Sequence, residues 1–96
     1  MGRRTVTKPT TDPVQFVMNH KGTHSYAATI LNLTGANITV TVTNQDIQST
    51  TSPTYAAPAA GALVISANTM GSINVPYEAM NLAGTGTGTI EIVEVG

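Results

Sequence analysis

Cysteine is absent from the 96 residues. A disulfide-stapled miniprotein, a thiolate metal knuckle and a redox motif are therefore excluded. Tryptophan is also absent, and aromatic residues make up only 4% of the chain. The side chains that bury most area per residue are nearly missing, so any core is thin, and oligomerisation is an expected source of stability. Charged residues supply 9% of positions, against about a quarter in ordinary globular domains. An acidic disordered tail and a long charged helix are both excluded by that figure. No apolar run approaches the roughly 20 residues of a bilayer-spanning helix. Arg3 and Arg4 have no apolar stretch behind them, so no signal peptide is expected.

Threonine, at 17 positions, is nearly twice as frequent as all charged residues together. Nine valines and seven isoleucines stand against four leucines. β-branched side chains stiffen the backbone toward strands rather than helices. The clearest segment is Ile38-Thr-Val-Thr-Val-Thr43, bounded by Asn37 and Asn44. Its apolar residues fall on one face and its threonines on the other, the pattern of a half-buried antiparallel strand. A slip of one residue would put the threonines in the core, so the register is well specified.

Further strands are expected at 14–18, 26–33, 63–65 and 72–75, and at the close of the chain through Ile90-Glu-Ile-Val-Glu-Val95. Pro76 ends one of them, and residues 77–82 fit either a strand or a helical turn. Residues 44–62 read as a surface loop with one short edge strand near Ile47, because Pro53 and Pro58 cannot sit in a central strand. The expected architecture is all-β. It is a small antiparallel β-sandwich or jelly roll of seven to eight strands with an extended N-terminal arm. Residues 1–13, with Pro9 and Pro13, form the arm; residues 14–96 form a single sandwich domain. All four basic residues lie in the first 21 positions, and residues 22–96 carry only acidic ones. A positive arm on a faintly acidic body suits either docking on something else or a solvated tail.

Catalytic signals are weak throughout. His20 and His24 have a metal-friendly spacing only on a helix, which Gly22 breaks, and they read as turn residues. The Gly84-Thr-Gly-Thr-Gly88 run leads into a strand pattern rather than a helix, so it is no phosphate loop. Glu91 and Glu94 would face opposite sides of a strand and cannot work as an acid–base pair. No enzyme activity and no cofactor are expected. Four cations without interleaved aromatics give little for nucleic acid to bind. Asn32-Leu-Thr34 and Asn37-Ile-Thr39 match the glycosylation sequon by composition. Glycines recurring along one strand face imply close approach by another backbone, a sharp bend, or a flexible loop over 83–88.

Four stretches together carry a resemblance. They are the segment Met1–Pro13, the strand at 37–43, the Ala/Pro loop T-Y-A-A-P-A-A-G at 54–61, and the closing G-T-G-T-G-T-I-E-I-V-E-V-G. In style and composition the chain resembles the small decoration, or cement, proteins of tailed bacteriophage heads. The resemblance implies a non-enzymatic virion protein, made in the host cytoplasm and placed on the capsid exterior. It implies a homotrimer that clamps neighbouring major capsid proteins, with no membrane partner. On that expectation Arg3, Arg4 and Lys8 bridge to an acidic capsid surface. Gly84, Gly86 and Gly88, or the loop around Tyr55, lie at a subunit interface. Two alternatives stay open: another head–tail or tail accessory β-sandwich, and a carbohydrate-binding module of a fibre or adhesin.

Overall fold

The computed structural model describes residues 2–17, 27–45, 47, 49, 51–58, 61–73 and 77–95, and the side chains of 2, 3 and 95 are outside that description. Eight strands occur among these residues: β1 (Gly2–Lys8), β2 (Val14–Val17), β3 (Ala27–Leu33), β4 (Ile38–Thr43), β5 (Leu63–Ile65), β6 (Met70–Ile73), β7 (Ala79–Ala83) and β8 (Gly88–Val95). They form two four-stranded sheets, ordered β1-β8-β3-β6 and β2-β7-β4-β5, with every pairing antiparallel. No helix among the described residues is long and apolar enough to cross a membrane.

The core lies between the sheets, as period-2 patterning requires. Ala28, Ile30, Ile73, Ile90 and Ile92 face inward from the first sheet. Phe16, Ile38, Val40, Ile65, Met80 and Leu82 meet them from the second. Threonine recurs on the outer faces, at positions such as Thr5, Thr7, Thr29, Thr39 and Thr41, and helps keep a β-prone sequence compatible with water, although Val17, Leu33, Val64 and Met70 are also exposed there. Residues 79–83 resolve as a strand, β7, at the centre of the second sheet.

Two expectations need correction. The segment 1–13 is not a free arm: residues 2–8 pair with β8 over seven consecutive positions, from Gly2↔Glu94 to Lys8↔Gly88. Residues forming such a ladder belong to the sandwich, because each strand satisfies its neighbour's backbone groups. The loop 44–62 has no strand near Ile47 among its described residues. Instead Ala56 bridges to Val42 through two backbone hydrogen bonds of 2.8 and 2.9 Å. That bridge extends the short edge strand β5, which pairs only with residues 38–40 of β4. His20, His24 and the polar turn around Gly22 lie outside the described residues.

Candidate functional site

The register places four sheet-to-sheet connections at one end of the sandwich. Lys8 is opposite Gly88 and Leu33 opposite Thr89, while Val14 is opposite Leu82 and Ile38 opposite Ile65. The connections 9–13, 34–37, 66–69 and 84–87 therefore sit side by side. They read P-T-T-D-P, T-G-A-N, S-A-N-T and G-T-G-T. Small hydroxyl, amide and glycine residues suit tight turns, and here they give this end of the fold a polar composition.

Two buried polar side chains stitch these loops together. Lys8 is fully buried, and its Nζ donates to the carbonyls of Thr10 (2.8 Å), Gly84 (2.6 Å) and Gly86 (3.1 Å). Three protons thus meet three acceptors, which is what a buried ammonium needs. Asn32 is also fully buried. Its Nδ2 donates to Ala36 O (2.7 Å) and Ile65 O (2.9 Å), and its Oδ1 accepts from Thr34 N (3.0 Å) and Thr34 Oγ1 (2.7 Å). Lys8 ties the first loop to the fourth, and Asn32 ties the second to the third.

The glycines complete the seam. A Cβ on Gly84 would stand 2.4 Å from the carbonyl oxygen of Asn37, and one on Gly86 would stand 2.6 Å from that of Thr34. Gly88 has φ +133°, with Leu33 O 3.1 Å from where a Cβ would be. The close backbone approach expected of this face is real, but the approaching backbone is the chain's own 33–37 turn. These glycines thus pack on the chain's own backbone, which accounts for their spacing within a single subunit.

The remaining expected contact residues are also held within the fold. Arg4 and Lys8 alternate with Val6 on the inward face of β1, opposite Ile92, Gly88 and Ile90. Arg4 Nε donates to the buried Glu94 carboxylate at 2.8 Å, and its Nη2 contacts the same oxygen. The same guanidinium donates to Val17 O (2.7 Å) and lies 4.0 Å from the centroid of the Phe16 ring. It closes the flank between edge strands β1 and β2. Cations on a mostly polar strand read as solvent-facing, and only the tertiary contacts show that Lys8 is not, while Arg4 stays partly in water. Lys8, fully buried, is committed to internal bonds and does not reach the surface, whereas Arg4 makes its internal bonds with 42% of its side chain still exposed. Arg3 pairs through its backbone with Val93. Tyr55 Oη accepts a hydrogen bond from Gln15 Nε2 at 2.5 Å, so the long loop is fastened to β2 rather than standing clear.

Tyr77 is buried beside the core, and its hydroxyl meets Met80 Sδ at 3.6 Å. Burial pushes its phenol well above the ordinary value, and the negative charge of Glu94 adds to the rise. No group of three His, Cys, Asp or Glu that could hold a metal ion is found among the described residues. Asn32, Thr34 and Glu94 were not singled out from sequence as structural residues. The available signal was Asn32 in register with Ala28 and Ile30, an amide on an apolar strand face. Its burial also removes the first sequon as a modification site in the folded chain, whereas Asn37 of the second is exposed.

No protein-family model matches this chain, and no curated protein matches it in sequence. Solved structures do share its fold. PirA aligns over 97% of this chain and 93% of its own with a TM-score of 0.64 at 11% identity. A structure from Bacillus endospore appendages, described as a novel family of disulfide-linked pili, aligns over 95% of this chain and 82% of its own. Its TM-score is 0.56 at 14% identity. At such identities the likeness is one of fold alone.

Proposed function

We propose that the chain is a non-enzymatic decoration, or cement, subunit of a bacteriophage capsid, acting as a homotrimer that clamps neighbouring major capsid proteins. The observation that carries this reading is the strand order, β1-β8-β3-β6 facing β2-β7-β4-β5. That order supports reading the sandwich as an eight-stranded jelly roll, an architecture of viral capsid and lectin domains. The stitched four-loop end supports it too, since a rigid polar surface docks with little loss of conformational freedom. Gold-labelled antibody against the chain tests the proposal on virions from the source cells. Label on head exteriors is the expected result, and its absence from every virion overturns the proposal.

A second reading, a subunit of a surface appendage, is favoured by the fold shared with the endospore appendage structure. Those pili are disulfide-linked, and this chain has no cysteine. An appendage of this subunit would therefore assemble through non-covalent surfaces. Label along filaments rather than heads would select it.

A further inference from the structure

We infer that the four-loop end of the sandwich is built around a site for a bare monovalent cation of ammonium size, which this chain fills with its own Lys8. Three backbone carbonyls, from Thr10, Gly84 and Gly86, converge on the Nζ at 2.8, 2.6 and 3.1 Å. The lysine is completely shielded from solvent. The described ion pair in the fold belongs to Arg4 and Glu94, and among the described residues no carboxylate lies within ion-pair distance of Lys8. Among the described residues, the groups that meet the ammonium are the three carbonyl dipoles.

That donor set defines the ligand class. Neutral carbonyls in place of a hydration shell are how selectivity filters hold large monovalent cations. Calcium takes oxygens at about 2.3–2.6 Å and magnesium at about 2.0–2.1 Å, each normally with carboxylate help. The cage around Lys8 is wider than either and carries no charge of its own. Two of its three walls belong to Gly84 and Gly86, which pack so closely on the 34–37 turn that neither admits a side chain. A tethered ammonium makes the loop end independent of the ions around it.

Lys8→Met tests the inference, because methionine reproduces the lysine stem and omits only the terminal ammonium. The void left behind has the size of one ammonium ion and three oxygens aimed into it. The thermal midpoint of Lys8→Met should rise with ammonium or potassium chloride and not with tetramethylammonium chloride at equal ionic strength. The wild type should show no such difference between salts. Above the dissociation constant, the folding equilibrium constant of the variant should rise about tenfold for each tenfold increase in ammonium. Isotope-labelled ammonium should give a bound resonance in the variant and none in wild type. The inference fails if Lys8→Met matches wild-type stability in tetramethylammonium, since the cage then needs no cation. It fails equally if ammonium and tetramethylammonium act alike. A variant that stays unfolded even in molar ammonium also overturns it, because the charge would then not be replaceable by a free ion.

Discussion

Arg4 and Glu94 are 90 positions apart in the chain, yet Arg4 Nε donates to Glu94 Oε1 at 2.8 Å in the space between the sheets. The carboxylate is buried, while the arginine side chain keeps 42% of its surface exposed. The pair is therefore asymmetric. Removing the arginine strands a buried charge, and removing the carboxylate frees a cation that water can reach. Arg4→Met is expected to cost about 2–4 kcal/mol and Glu94→Gln about 1–2 kcal/mol, an order set by the uncompensated buried charge. Urea midpoints of the two variants check the order.

Deletion of residues 1–8 should abolish cooperative unfolding. A free arm would leave the urea transition in place, but β1 supplies one edge of the first sheet, the partner of Glu94 and the lysine at the loop seam. Circular dichroism through a urea titration gives the answer.

Gly84→Ala and Gly86→Val should both impair folding of the single subunit. Each new Cβ would meet a backbone carbonyl of the 33–37 turn at less than contact distance, and overpacking of this kind costs about 1–3 kcal/mol. Gly35→Ala is the control, with open space around the new methyl but φ +83°, and should cost about 1 kcal/mol from backbone strain alone. Thermal midpoints measured across a wide range of protein concentration separate a folding defect from a weakened oligomer.

Asn32→Leu removes the only side chain joining the 34–36 turn to residues 65–66. It leaves two carbonyls and the Thr34 hydroxyl without their buried partner. The expected loss is about 2–4 kcal/mol, with amide exchange accelerated at the backbone N–H of Thr34. Retained protection there would count against the network.

Tyr77 gives the fold an alkaline limit. Its phenol holds the proton more tightly when folded than at its ordinary value of 10.0 in an exposed chain. Below that value both states are neutral and the contribution is fully present. Above it the unfolded chain has lost the proton and the folded chain has not, so stability falls as pH rises, by about 1.4 kcal/mol per pH unit. The slope continues until the folded phenol itself ionises. Tyr77→Phe should flatten the pH dependence of stability above pH 10 relative to wild type.

Sequence patterning located the strands whose alternation is apolar against polar. Ile38–Thr43 falls where the period-2 pattern places it and the apolar Leu63–Ile65 where a short strand was expected, and the turn at Asn68 has the positive φ of 59° that asparagine tolerates. It failed where the buried residue is a cation. In Arg4-Thr-Val-Thr-Lys8 the inward positions are Arg4, Val6 and Lys8, and hydrophobicity alone assigns the first and last to water. What reverses that assignment is tertiary: the Glu94 carboxylate for one, three loop carbonyls for the other. The glycine repeat left a close backbone approach, a bend and a flexible loop open, and which of these holds depends on the winding of the sheets, which no local pattern encodes. Asn32 was masked in the same way, since an amide in a threonine-rich chain looks like surface until its strand neighbours show which way it points.

The position of β8 also governs when the molecule can form. It lies between β1 and β3 in the first sheet, so the N-terminal strand has no partner until residues 88–95 exist. During synthesis β1 must wait through almost the entire chain, with Arg4 and Lys8 still hydrated. The contacts that close the sheet are among the longest in sequence separation, which makes them slow to find. Closure of the first sheet therefore waits for residues 88–95, and until they pair, the edges of β1 and β3 that face β8 are open to other chains.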